Sequence, residues 1–284
     1  MRQEDLRGAG LMTAAMAGFA VEDLFIKKAA AHLPPGQILV TMGLCGILFF
    51  AILSRRAGEP AFPALFLSRG MLVRCGFEIA GRLFYALALA LTPLSSASAI
   101  LQAAPLVVIA GAAVLFGEKV GWRRWLAVLV GLAGVMVILR PGLQGFSALS
   151  LLAVAGMLGF AGRDLATRAA PRGLSNRQLG TLGFAMLALA GAIILSWTGG
   201  AHLPSAQAAA LVAGATVFGI AGYHTLTGAM RTGAVGAVTP FRYTRLVFAL
   251  ILAALVLGER PDTATMLGAA LIVLAGLYGL TRRG

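Results

Sequence analysis

The sequence predicts an all-α integral membrane protein of ten transmembrane helices, arranged as two inverted five-helix repeats. Three observations predict it. Of its 284 residues, 59% are hydrophobic and only 12% charged, and mean hydropathy is +0.90; soluble domains run near ~45–50% apolar and ~25% charged. The apolar residues fall in continuous runs near the ~20 residues that cross a bilayer, not in the alternating segments of a β-barrel. One offset, 141 residues, relates two distant motifs of the chain.

The runs cover 8–31, 36–54, 70–91, 94–116, 122–139, 147–169, 178–198, 205–229, 234–257 and 263–281. Loops between them are short, and no stretch is left for a soluble domain. The first run is too long for a signal-peptide core and has no clear cleavage site, so no signal peptide is expected. Cationic residues set the orientation. With the N-terminus in the cytoplasm, that side holds Arg2, Arg7, Arg55, Arg56, Arg69, Lys119, Arg123, Arg124, Arg168, Arg172, Arg177, Arg231, Arg282 and Arg283. The outer side holds Lys27, Lys28, Arg140 and Arg260, and five further arginines fall within helices. Both termini are therefore expected inside. The net charge of +13 is an orientation signal, and a nucleic-acid partner is not expected, since that needs a basic face on a soluble body.

Gly18-Phe19-Ala20-Val21-Glu22-Asp23-Leu24 matches Gly159-Phe160-Ala161-Gly162-Arg163-Asp164-Leu165, and Phe116-Gly117-Glu118-Lys119 matches Leu257-Gly258-Glu259-Arg260, at the same offset of 141. The halves are then 1–141 and 142–284, with five spans each. Five is odd, so the halves enter the membrane from opposite sides, the plan of many secondary transporters.

Leu91-Thr92-Pro93-Leu94-Ser95-Ser96-Ala97-Ser98-Ala99, Pro105 and Val114-Leu115-Phe116-Gly117-Glu118 resemble the EamA-type drug/metabolite transporter superfamily, as does Pro240-Phe241-Arg242-Tyr243 through Leu257-Gly258-Glu259-Arg260-Pro261. Within that superfamily the chain is similar to bacterial exporters of aromatic and other amino acids. The resemblance implies an inner-membrane carrier with an amino-acid substrate, no cofactor and the lipid bilayer as its other partner. The second half departs from the pattern: Arg245-Leu246 stands where the first half has Ala104-Pro105.

An ionisable group at the centre of a membrane helix costs at least ~2.5–3.5 kcal/mol, so it usually faces a cavity or a partner. Arg74, Glu78 and Arg82 share one face of the third helix at i, i+4, i+8, and Tyr85 extends the strip. They can line a pathway, or form a ladder that neutralises itself, with Arg74 snorkelling to the cytoplasmic end. Asp23 and Asp164 occupy matching positions and read either as gating or proton-coupling carboxylates or as local partners of Lys27 and Arg168 at i+4; the local pairing is favoured. Glu22 and Arg163 can bridge between helices. Arg242 and Arg245 share a face, with Tyr243 on another; Pro240 begins a break in the ninth helix, and Pro105, with Gln102 a turn earlier, can do the same in the fourth. Tyr223 and His224 sit midway in the eighth helix, where a histidine can relay protons or stay neutral and hydrogen-bonded. Phe19, Phe77, Phe84, Phe160, Trp197 and Phe218 read as lipid-facing or packing aromatics.

For a zwitterionic substrate, Arg82, Arg163 or Arg242 would meet the carboxylate; Glu78, Gln102 or the tyrosines Tyr85, Tyr223 and Tyr243 would meet the ammonium. Asp23 and Asp164 are the candidates for coupling or gating. An exporter of another metabolite or drug is the nearest alternative, and a channel or membrane scaffold the alternative of another class. An intramembrane enzyme would want a HExxH or Gly-x-Ser-x-Gly motif, and neither is present. No metal site is expected: Cys45 and Cys75 are far apart, and His32, His202 and His224 are scattered.

Overall fold

A computed structural model of the chain describes residues 3–117, 121–140, 147–169, 173–232 and 238–281. Helix α1 (Gln3–Ala29) carries Glu4 and Asp5 in its first turn and Lys27 and Lys28 in its last, charges that favour the two ends of the helix dipole. Helix α2 (Pro35–Arg56) starts on a proline, whose missing N–H costs nothing there. Helix α3 (Arg69–Leu91) runs back. The fourth span is two helices, α4 (Leu94–Leu101) and α5 (Ala104–Phe116), interrupted at Gln102 and Ala103, where Pro105 has no N–H to continue the ladder. Helix α6 (Trp122–Leu139) completes the first half.

The second half repeats the order with α7 (Ser150–Ala169), α8 (Asn176–Thr198) and α9 (Ala206–Arg231). A 3₁₀ turn over Thr239–Tyr243 leads into α10 (Thr244–Leu257), and α11 (Thr263–Thr281) is last. A capping box of Ser175 and Gln178 starts α8, and the Ser205 hydroxyl accepts from the Ala208 N–H at the start of α9. Helices α5 and α10 end alike, on Gly117 (φ 63°) and Gly258 (φ 65°), a left-handed conformation that glycine adopts without strain. These two glycines are 141 residues apart, as the motif repeat requires.

The ten expected spans are thus present, with ends within a few residues of those expected. Residues 234–237 of the ninth lie outside the described residues, and no strand occurs among the described ones. The helix pairings obey the repeat. Helix α1 packs on α9, and its counterpart α7 packs on α3; α2 meets α8 and α6 meets α11, each with its own counterpart. A methyl placed on Gly18 would lie 3.3 Å from the Gly222 Cα in the α1–α9 contact. The counterpart glycines, Gly159 and Gly81, bring α7 and α3 together. Gly134 of α6 and Gly268 of α11 make a further close approach: a methyl on Gly134 would stand 2.8 Å from the Gly268 carbonyl oxygen.

Polarity is reversed relative to a soluble protein. Val114, Leu115, Leu255, Trp197 and Leu48 are exposed, while Asp23, Glu22, Arg74 and Glu78 are buried. Hydrocarbon outside and ions inside is the arrangement that a bilayer selects. Five segments are long and apolar enough to cross on their own, namely Gln3–Ala29, Pro35–Arg56, Leu94–Phe116, Asn176–Thr198 and Ala206–Ala229. Helix α3 carries the buried Arg74 and Glu78 instead, and α7 the half-buried Arg163 and Asp164.

Candidate functional site: a charged cavity between the two halves

A cavity of about 150 Å³ lies between the halves, room for roughly ten waters at ~10–15 Å³ each. It is lined from α1 by Phe19, Glu22 and Asp23, from α3 by Arg82 and Tyr85, and from the fourth span by Gln102 and Pro105. The second half supplies Phe160, Arg163 and Asp164 from α7, Leu187 from α8, Tyr223 from α9, and Arg242 and Arg245 from the ninth span. Most of the interior charges converge here, while Arg74 and Glu78 are not on the lining.

The charges are held unequally. Arg245 donates to Asp23 Oδ2 at 2.6 Å, and Tyr85 Oη donates to the same oxygen at 3.2 Å. Arg163 donates to Asp164 Oδ1 at 2.8 Å, and Arg74 stands 3.0 Å from Glu78. These three pairs are tight. Arg82 is only within 3.9 Å of Glu78, and Arg242 within 4.0 Å of Asp164. Glu22 is 5% exposed and has no hydrogen bond or ion pair among the described residues. Two cations and one carboxylate on the wall are thus loosely held, and of these Arg82 lies 6.0 Å from the Phe160 ring centre. The Arg163 guanidinium lies 5.1 Å from the Phe160 ring centre, and Arg245 lies 5.3 Å from that of its counterpart Phe19.

The break in the fourth span meets the break in the ninth. Gln102 Nε2 donates to the Arg242 carbonyl at 3.3 Å, so one side chain ties the two interrupted helices across the repeat axis. At the end of the bundle where α3 turns into α4, Lys27 Nζ donates to the Thr92 carbonyl at 2.6 Å and to that of Leu89 at 3.2 Å. Glu259 accepts there from the N–H groups of Leu94 and Ser95 and from the Ser95 hydroxyl.

Several expectations are revised by these positions. Asp23 does not pair with Lys27: the lysine reaches the carbonyls at the end of α3, and Arg245 from the other half takes its place. Asp164 pairs with Arg163; the side chain of Arg168 lies outside the described residues. Arg74 does not snorkel; it is buried and donates to Thr167 Oγ1 at 3.0 Å. Glu78 stands behind the cavity wall, with Arg74, Arg82 and Arg163 all within 4 Å of it, and is fully buried. His224 is exposed on the outer face of α9 and is not part of the lining. Tyr243 turns away from the cavity and packs against Gly276 of α11. Tyr85, Gln102, Arg82, Arg163, Tyr223 and Arg242 come together on the lining, as do Asp23 and Asp164. Phe19 and Phe160, expected to pack or face lipid, line the cavity too. Their position three and four residues before Glu22-Asp23 and Arg163-Asp164 places them on the same helical face, the signal that identifies them. Among the described residues no cluster of metal-ligating side chains occurs.

The sequence profile of the EamA-like transporter family matches residues 6–140 and again residues 148–281. The chain is 30% identical to the pseudopaline exporter of Pseudomonas aeruginosa (strain UCBPP-PA14), over 95% of each chain. It is 28% identical to a riboflavin transporter of Rhizobium johnstonii, over 83% of this chain and 76% of that one. It is 26% identical to an S-adenosylmethionine uptake transporter of Rickettsia prowazekii, over 81% and 76%. A solved crystal structure shares the fold with a TM-score of 0.64 at 21% identity, covering 94% of this chain and 98% of that one.

Proposed function

This chain belongs to the EamA-like transporter family, a multi-pass membrane transporter and not an enzyme, and from that premise we propose that it exports amino acids, aromatic and other neutral ones, across a bacterial inner membrane. The observation that carries the reading is the pair of loosely held cations, Arg82 and Arg242, on a cavity walled by Phe19, Phe160 and Tyr223. A carboxylate entering the cavity displaces weak contacts at 3.9 and 4.0 Å, whereas it would have to break the tight pairs of Arg245 and Arg163. Charge-assisted hydrogen bonds to a guanidinium are worth ~1.5–3 kcal/mol, and the aromatic wall suits a neutral or aromatic side chain.

Alternating access in this reading is a rocking of 1–141 against 142–284 about the cavity, with both termini cytoplasmic. Asp23 is the gating residue of one side, because its bond to Arg245 joins α1 of the first half to α10 of the second. Asp164 is its counterpart and faces Arg242 of the same segment.

A second reading keeps the carrier and changes the cargo. The relatives named above move pseudopaline, riboflavin and S-adenosylmethionine, so an exporter of another small metabolite fits the same cavity. Counterflow in proteoliposomes separates the two. Vesicles are loaded with unlabelled phenylalanine, labelled phenylalanine is added outside, and threonine, methionine, lysine and a purine compete. Saturable counterflow blocked by amino acids and not by the purine is expected. Absence of counterflow with every amino acid, from folded protein, would move the assignment to the metabolite exporter; linear, unsaturable flux would point to a channel.

A further inference from the structure

The frame of the protein is symmetric, but the charges on it are not. Shifting by 141 residues maps Glu78 onto Gly219 and Glu22 onto Arg163. In one copy of the contact, between α3 and α7, Glu78 and Arg163 oppose each other at 3.7 Å. In the other copy, between α9 and α1, the same two places hold Gly219 and Glu22. There the carboxylate faces a glycine: a methyl built on Gly219 would lie 2.7 Å from Glu22 Oε1. One copy of the contact thus holds an ion pair where the other holds a carboxylate with no hydrogen bond or ion pair among the described residues. Arg245, the neighbouring cation, is committed to Asp23 at 2.6 Å, and Arg82 leans toward Glu78.

A buried carboxylate without a partner is costly and is kept where a cation arrives from outside. Glu22 is 5% exposed and opens onto the cavity. Phe19, one turn earlier on α1, lines the same cavity, and its ring already holds the Arg245 guanidinium at 5.3 Å. Among the described residues no lysine lines this cavity, so the wall supplies carboxylate and ring but no ammonium of its own.

We infer that Glu22, over Gly219, is the binding site for a primary ammonium group of the transported molecule. This inference deepens the amino-acid reading and rests on it: the carboxylate end goes to Arg82 and Arg242, and the ammonium end goes to Glu22.

The test compares phenylalanine with its two half-charged analogues, phenethylamine, which lacks the carboxylate, and 3-phenylpropionate, which lacks the ammonium. Each competes with labelled phenylalanine in counterflow, and each is also tested for raising the melting temperature of the purified full chain in detergent. Wild-type protein is expected to prefer phenylalanine over 3-phenylpropionate by about tenfold or more, the effect of one charge-assisted contact. In Glu22→Gln that preference disappears while affinity for 3-phenylpropionate is retained, a split that mere loss of packing does not produce. Gly219→Ala, which pushes the carboxylate aside, reduces the preference in the same direction and keeps the test usable if Glu22→Gln does not fold. A Glu22→Gln protein that still prefers phenylalanine tenfold overturns the inference and leaves the amino-acid reading standing. If wild-type protein shows no amino-acid counterflow, that reading falls, and phenethylamine decides Glu22 alone. Stabilisation by it that Glu22→Gln loses supports the site; no stabilisation of wild type overturns it.

Discussion

Asp23 and Arg245 come from helices 222 residues apart and share a 2.6 Å bond in the interior. Removing one partner of a buried pair leaves an uncompensated charge and typically costs about 3–5 kcal/mol. Arg245→Met is therefore expected to lower the unfolding temperature sharply, and Asp23→Asn in the same chain to restore part of the loss; equal losses that simply add would show that the pair is not coupled. Sequence pattern identified the charged residues at membrane depth and the i+4 pairing of Glu78 with Arg74 and Arg82, but not the partners of Asp23 and Asp164. The i+4 rule points Asp23 to Lys27, yet Lys27 reaches the carbonyls closing α3, a destination set by how α1 and α3 pack. A simpler residue lies outside the bilayer. Asp262 accepts from Arg140 and from the Thr265 N–H, and these bonds hold its carboxyl down to about 2. Because the folded value is lower than the usual one of 3.8, its stabilisation is present above about pH 4 and lost as pH falls toward 2. The stability difference between wild type and Asp262→Asn should shrink over that interval; a difference constant from pH 5 to 2 would contradict it.

At the scale of the element, the two broken spans supply Gln102, Pro105, Arg242 and Arg245 to the cavity. The sequence marks both breaks, Pro105 in the fourth span and Pro240 in the ninth, and their physical cause is legible, since a proline withdraws one donor from the helix ladder. That Gln102 would bridge them was not legible, because nothing in local spacing shows which carbonyl a glutamine will reach across the repeat axis. The Gly-Glu ends were visible as motifs and gain a structural reason here. Glycine ends the helix in a left-handed turn, and Glu259 then crosses to the first half and caps α4, with bonds of 2.8 Å to the Leu94 N–H and 3.1 Å to that of Ser95. A lost cap with its favourable dipole interaction costs about 1–2 kcal/mol. Glu259→Ala is expected to lower stability by that amount and to loosen the α3–α4 turn, seen as faster hydrogen exchange at Leu94 and Ser95; unchanged exchange there would mean that the cap is dispensable.

For the whole molecule, the offset of 141 residues divided the chain into two halves of five spans, and the helix pairings of the structure follow that offset. What the offset does not carry is the asymmetry. Arg82 maps onto Tyr223, Arg242 onto Leu101 and Arg245 onto Ala104, so these three cations of the cavity have apolar or neutral counterparts. In the carrier proposed above, a symmetric frame would supply two interconvertible openings, and the asymmetric lining one binding site between them. The inverted topology makes a direct prediction: in a cysteine-free background, a cysteine at Gly58 is expected to react with an impermeant thiol reagent only from the cytoplasmic side, and one at Pro261 only from the outside. Labelling of both from one side would contradict the inversion.

The most direct measurement is counterflow of labelled phenylalanine by wild type, Arg82→Gln and Arg242→Gln in matched proteoliposomes. The account predicts saturable counterflow in wild type and a half-saturation concentration raised about tenfold in each variant. Saturable counterflow with the same half-saturation concentration in all three proteins would contradict the claim that these two arginines receive the substrate.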